Sequence, residues 1–262
     1  MLLAIDVGNS NIVLGVFERD ELIRSWRLQT VRERTADELG LLVGGLFANS
    51  HIDRSQIQGI VLGSVVPPLT NTVVGMLWQD FLRKPLVVDP ATNAGMPIRY
   101  SNPSEVGADR IVNAIAAFEQ YGGNGRPLIV CDFGTATTLD AVSGTGEYLG
   151  GAICPGVSIS ADALFQRAAR LPRIEVRKPE TVIGRTTVGA MESGLFFGYV
   201  GMVEGLVRRM DVELGGNSIC VATGGLAVVI APETGLFEHV DVELTLQGLR
   251  IVWERNQTAS PV

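Results

Sequence analysis

Ile129-Val130-Cys131-Asp132-Phe133-Gly134-Thr135-Ala136-Thr137-Thr138 opens as an apolar run and closes on hydroxyls. The run reads as a buried strand. Asp132 ends it, and Gly134 follows where the backbone can turn with no Cβ in the way. Thr135, Thr137 and Thr138 then set hydroxyls beside backbone N–H groups. A carboxylate does not itself bind phosphate, but it can hold a cation, or a cation's water shell, that does. Taken alone the stretch reads as an ordinary hairpin, because Asp-x-Gly is common turn chemistry.

A second copy changes that reading. Leu2-Leu3-Ala4-Ile5-Asp6-Val7-Gly8-Asn9-Ser10-Asn11 has the same plan of apolar run, Asp, apolar residue, Gly and small polar residues. Downstream of Asp6 come Ile12 to Phe17, a polar turn at Glu18 to Glu21, and Leu22 to Leu28. Downstream of Asp132 come Leu139 to Val142, a turn at Ser143 to Gly146, and Tyr148 to Cys154. Both copies read strand, Asp-x-Gly turn, strand, tight turn, strand: an internal repeat with little identity beyond the turns. Two such units facing each other would bring two Asp-Gly turns to one cleft, which points to a nucleotide phosphate clamp.

Outward from the repeat, alternating strands and helices predict an α/β architecture. Arg32 to Asn49 reads as a helix with Thr35 as its cap, Ile57 to Ser64 as a buried strand, and Leu69 to Leu82 as a helix after Pro67-Pro68. Pro85 to Val88 reads as a short strand, Asp89 to Pro103 as a loop, and Glu105 to Gln120 as a helix. Tyr121 to Arg126 is the linker candidate. In the second half a helix is expected from about Ser158 to Ala169, an irregular charged loop from Leu171 to Ile183, and a long helix from Thr186 or Thr187 to Leu214. That helix holds Gly189, Gly194, Gly198, Gly201 and Gly205, and each interior glycine costs about 1 kcal/mol relative to alanine. It is either two helices with a break or one helix with a closely approaching partner. Ser218 to Ala222 reads as a strand ending at Thr223-Gly224-Gly225, Val240 to Trp253 as the last helix, and Asn256 to Val262 as a frayed tail.

Composition excludes several classes. The 262 residues are 46% hydrophobic and carry a net charge of −7, so a core is available and a basic nucleic-acid footprint is absent. Cys131, Cys154 and Cys220 are widely spaced, which suits neither a disulfide framework nor a zinc site. His51 and His239 have no ligand-spaced neighbours. No basic leader or membrane-length apolar run is present, so a cytoplasmic setting is expected, without nucleic-acid or membrane partners.

Chemistry concentrates in four places. Three are the glycine-bearing turns at Asp6, Asp132 and Thr223, the last able to admit a flat ring or ribose. Neither a P-loop nor a Rossmann fingerprint occurs. The order of the three turns resembles the two phosphate motifs and the adenosine motif of the acetate and sugar kinase, heat-shock chaperone and actin superfamily. The fourth is Asn102-Pro103-Ser104-Glu105-Val106-Gly107-Ala108-Asp109-Arg110, which opens a helix between the repeats. Phosphoryl transfer to an alcohol needs a carboxylate near the attacking hydroxyl and benefits from a guanidinium near anionic substrate groups. Asp109 and Arg110 supply both, although Asp and Arg also serve simply to solvate a helix start.

Together with Ile183-Gly184-Arg185-Thr186-Thr187, these motifs resemble the bacterial type III pantothenate kinases over essentially the full length and in order. The one departure is Ser10, where many relatives have Thr; both keep a hydroxyl. The resemblance implies two similar ribonuclease-H-like domains, each a mixed sheet with helices, at 1–121 and 122–262, with an ATP cleft between them. It implies ATP-dependent phosphorylation of pantothenate toward coenzyme A, with Asp109 as general base. ATP would be held by Asp6, Val7, Gly8, Asn9, Ser10, Asn11, Ile12, Val13 and Thr135. Pantothenate would be held by Tyr100, Gly107, Ala108, Asp109, Arg110 and Thr187. Asp132 would bind a monovalent cation, K+ or NH4+. A divalent cation (Mg2+) accompanies ATP in that family, and its members work as homodimers. Another small-molecule kinase of the superfamily and a nucleotide-gated regulatory protein are the alternatives; Asp109 beside Arg110 favours the enzyme.

Overall fold

The computed structural model describes residues 1–89, 94–168 and 171–258. Part of the expected loop at 89–103, the expected end of one helix at 169, and residues 259–262 of the tail expected from Asn256 lie outside them; residues 256–258 of that tail are helical instead. The chain forms two compact units. One is Met1–Ala116 together with Leu244–Val262, and the other is Ala117–Glu243.

The first unit holds a five-stranded sheet. β1 (Leu2–Val7), β2 (Asn11–Glu18) and β3 (Glu21–Gln29) form an antiparallel meander, and β4 (Gly59–Ser64) and β5 (Leu86–Val87) continue it in parallel, in the order β3-β2-β1-β4-β5. β1 and β4 are covered on both faces, so they read as nearly unbroken apolar runs. β3 is the edge and is mostly exposed. One face packs Leu3, Ile5, Leu14 and Val16 against Val43 of α1 (Ala36–Asn49) and Val73 of α2 (Pro67–Phe81). α1 begins at Ala36, later than the periodicity suggests, because Thr35 and Glu38 close a reciprocal capping box there. The two prolines open α2 rather than end a strand, since proline is tolerated in a helix's first turn.

The second unit repeats the plan with β6 (Leu128–Phe133), β7 (Ala136–Val142), β8 (Tyr148–Pro155), β9 (Ile219–Thr223) and β10 (His239–Val240), in the order β10-β9-β6-β7-β8. Its core sets Ile129, Cys131 and Leu139 against Phe196, Val200 and Val203. Those three belong to α5 (Thr187–Glu213), a single unbroken helix, so the two-helix alternative falls. α3 (Ala108–Tyr121) and α4 (Val157–Arg167) begin at the positions the sequence indicated, within a few residues. α6 (Ala227–Thr234) is unforeseen; a short apolar segment interrupted by Pro232 has no helical period to read.

α7 (Leu244–Thr258) starts later than expected and belongs to the first unit. Its Leu246, Leu249 and Trp253 lie over Gly15, Gly63 and Gly59 of the first sheet. The second unit therefore ends at Glu243 and not at 262. The Gly-rich segment at 122–126 also falls inside the second unit, and the chain passes between units within α3 and again just before α7.

Candidate active site

Asp6 is half-buried near the end of β1, opposite Val13 on β2 and Gly63 on β4. Past Val7 the chain turns through Gly8, Asn9 and Ser10, closed by a hydrogen bond from Gly8 N–H to Asn11 O at 2.9 Å. Asn9 and Ser10 are exposed, whereas the Val7 and Ile12 side chains are in the core, so those two can offer a ligand only their backbone. Thr30, just past β3, holds the turn twice. Its hydroxyl donates to Gly8 O at 2.7 Å and its N–H to Ser10 O at 3.0 Å.

The Asp109 segment reaches the same strand ends. Asn102 caps a short 3-10 turn at Pro103–Glu105, and Val106, buried, leads into Gly107. A methyl group on Gly107 would lie 3.4 Å from Val65 Cγ1. Val65 N–H in turn donates to Val7 O at 3.1 Å. The start of α3 therefore stands beside the exit of β1, on the edge where the parallel strands end and where ligands bind in open α/β sheets. Asp109 Oδ1 accepts the Arg110 N–H at 2.8 Å. Burial pushes the Asp109 carboxyl above the ordinary aspartate range, and the N–H and charge of Arg110 pull back against that. Ala108 and Arg110 are buried and Tyr100 is half-buried.

In the second unit Asp132 occupies the place matching Asp6, opposite Thr138 and Thr223. Gly134 N–H closes the turn onto Ala136 O at 3.1 Å, and Gly134 and Thr135 are exposed. Gly224, at φ +90°, presses against the Asp132 carboxylate and the Phe133 backbone, so a Cβ has no room there. Gly156 lies against the carbonyls of Gly134 and Thr135 and begins α4, which no side chain caps. Beneath the turn, Thr137 and Tyr199 share a hydrogen bond that ties α5 to β7.

The chemistry of these two turns fits a phosphate held through a cation: exposed small polar residues and one carboxylate each. Among the described residues no three His, Cys, Asp or Glu side chains gather for a metal. A cation at Asp6 or Asp132 would complete its shell with phosphate and water oxygens, the usual arrangement for Mg2+.

Residues 2–209 match the family described as type III pantothenate kinase. The chain belongs to that family. A type III pantothenate kinase from Moorella thermoacetica is 55% identical over 256 residues, covering 98% of this chain and 100% of that one. Among solved structures, a ROK hexokinase from Thermus thermophilus aligns with a TM-score of 0.50 at 14% identity, over 98% of this chain and 99% of that one. The ethanolamine utilization protein EutJ from Carboxydothermus hydrogenoformans aligns at 0.55 and 14%, over 95% and 89%. At such identities these two show the shared fold alone.

Within this pantothenate kinase fold, Thr187 is the exposed first residue of α5, which Thr186 caps through the Gly189 N–H at 3.0 Å. Thr187 lines an open, apolar groove of about 510 Å³ with Leu164, Ala190, Met191 and Leu195. A further groove of about 650 Å³, lined by Ser158, Asp162, Arg173, Val176 and Leu226, was not foreseen. Leu226 follows the Thr223-Gly224-Gly225 turn directly, so the groove adjoins the expected adenosine motif. Its only sequence signal was the alternation of charge and aliphatic residues from Arg173 to Val176.

Proposed function

We propose that this chain transfers the γ-phosphoryl group of ATP to the terminal hydroxyl of pantothenate, giving 4'-phosphopantothenate, the first step toward coenzyme A. The observation that carries the chemistry is the position of Asp109. It stands at the strand ends that also bear the Asp6 turn, and its raised pKa matches a proton acceptor. The acceptor oxygen attacks the γ-phosphorus, its proton passes to Asp109, and the β–γ bridging oxygen leaves with ADP. Tyr100, Gly107, Ala108, Arg110 and Thr187 hold pantothenate in this reading. The segment from Asp6 to Val13 and Thr135 hold ATP. The divalent cation that accompanies ATP supplies neutralising charge. Asp132 holds K+ or NH4+, which offsets the repulsion between its carboxylate and the incoming phosphates.

We also propose a homodimer built on α5. Methyl groups at Gly194, Gly198 and Gly201 would meet nothing within 4 Å. No contact inside the described chain needs these glycines, and a partner helix would use the groove they leave. Gly198→Leu then shifts the mass measured by light scattering toward monomer; a wild-type protein that is monomeric refutes the dimer. We place the reaction in the cytoplasm because the three cysteines are free, which suits a reducing compartment.

ADP release, followed with pantothenate and a panel of other small alcohols, tests the reaction. Pantothenate should be the preferred acceptor, and the rate should rise when K+ or NH4+ replaces Na+. Release that does not depend on pantothenate rejects the function, and equal rates in K+ and Na+ reject the monovalent site.

A further inference from the structure

Arg32 stands between β3 and α1, close to the first turn. Its Nη2 donates to Asn9 Oδ1 at 3.4 Å, and both residues are exposed. Asn9 is neutral, and Arg32 meets no carboxylate among the described residues. Arg34 differs: its guanidinium is used locally, on Gln29 O at 3.1 Å. A guanidinium carries five donors in a rigid fork that matches phosphate. One long hydrogen bond to an amide leaves most of that fork available beside the turn.

The matched position in the second unit shows what Arg32 replaces. There Gly156 follows β8 directly and starts α4, so the positive end of a helix with no capping side chain lies against the second turn. In the first unit the residue after β3 is Thr30, and the next helix begins only at Ala36. Thr35 and Glu38 occupy that helix's cap, so its N-terminus is already satisfied. The first turn therefore has a carboxylate, Asp6, and the helix that follows β3 offers it no open start of the kind Gly156 gives the second turn. Arg32 is the cation in hydrogen-bonding contact with the first turn.

We infer that Arg32 binds the β- and γ-phosphate oxygens of ATP at the first turn, an inference that rests on the kinase reading above. The choice of phosphates follows from Asp109. The transferring phosphoryl group must meet the acceptor oxygen beside that carboxylate, and the first turn shares the exit of β1 with it.

Full-length wild type, Arg32→Ala and Arg32→Lys are titrated with ATP and with AMP, and KM is measured for ATP and pantothenate. Arg32→Ala should weaken ATP about tenfold, the usual scale for losing a charged hydrogen-bond donor. AMP binding, the pantothenate KM and the melting temperature should be unchanged, since Arg32 is exposed. Arg32→Lys keeps the charge without the fork and should fall between. ATP binding by Arg32→Ala equal to wild type overturns the inference and leaves the kinase reading standing. Equal losses for ATP and AMP overturn the assignment to the β and γ positions. A wild-type protein that binds no ATP overturns both readings.

Discussion

The two Asp-x-Gly turns occupy the same place in sheets of the same order, and they are held differently. The first is braced by side chains: the Thr30 hydroxyl on Gly8 O and the Arg32 guanidinium on Asn9. It also shares the exit of β1 with Asp109. The second is braced by backbone: Gly156 against the Gly134 and Thr135 carbonyls, and Gly224 against Asp132 and Phe133. Side-chain bracing can be altered without moving the main chain. Backbone bracing leaves no slack, and a single added methyl must displace something. We therefore expect substitutions around the first turn to change rates and affinities, and those around the second to change stability first.

Asp109→Asn carries the largest expected effect. If Asp109 is the base, kcat falls about 10²- to 10⁴-fold, while ATP binding holds. The pH dependence gives a second reading. The folded-state pKa of Asp109 is raised by burial, so the acid limb of kcat should sit above the ordinary aspartate range, and it should vanish in the variant. Stability moves the opposite way. A carboxyl with a raised folded pKa stabilises the fold while protonated, and that contribution is lost as pH rises through the folded pKa. At neutral pH the buried charge is therefore a cost, and Asp109→Asn should melt higher than wild type. The gap should close as pH falls below the ordinary aspartate value. Near-normal kcat in the variant removes the base assignment.

Two glycines put the contrast between the turns to a direct test, because each clears space for an aspartate. A methyl on Gly224 would strike Asp132 Oδ1 and come within 2.7 Å of Phe133 N, at φ +90°. Main chain cannot yield cheaply, and left-handed backbone costs a further 1–2 kcal/mol or so for a residue with a Cβ. With overpacking added, Gly224→Ala should lose about 3 kcal/mol and melt well below wild type. A methyl on Gly107 would strike only the Asp109 carboxylate, which can swing aside. Gly107→Ala should therefore keep its melting temperature and lose about tenfold or more in kcat, the scale of a misplaced reacting group. Differential scanning calorimetry and steady-state kinetics on the pair decide it. The contrast fails if Gly107→Ala loses stability and Gly224→Ala does not.

What could be read from the sequence follows the same line between local and distant causes. The Asp-x-Gly turns were legible because turn chemistry lies in adjacent residues, and the repeat showed three consecutive strands in each half; the parallel strands that complete each sheet carry no such local mark. Thr35 was legible as a cap for the same reason. The seat of Gly107 against Val65 was not, since it joins segments with no shared local pattern. The sequence reading put a last helix at Val240 to Trp253 but could not say which sheet it covers, so α7 was counted with the wrong half. The Gly-rich segment at 122–126 has the composition of a linker. The crossing instead lies within α3, near Ala116 and Ala117, where an unbroken helix carries no sequence mark. Asp109 and Arg110 were picked out by residue type. Arg32 was passed over because its significance depends on Asn9 being its neighbour in space.

The smallest expected effect belongs to Thr30→Val, and it is the finest probe of how the first turn is held. Valine keeps the shape of threonine and removes only the hydroxyl that donates to Gly8 O at 2.7 Å. The Thr30 N–H to Ser10 O bond, made by the main chain, survives. One partly buried hydrogen bond is worth about 1 kcal/mol, which for a chain of this size shifts the melting temperature by about 2–4 °C. The turn would keep its fold and lose one of its two ties to Thr30, so the KM for ATP should rise a few-fold with kcat nearly constant. Gly156, the matched residue beside the second turn, has no side chain, so no equivalent change exists there. A Thr30→Val enzyme with the melting temperature and ATP KM of wild type would mean that the main-chain bond alone sets the first turn. The distinction between side-chain and backbone bracing would then rest on Arg32.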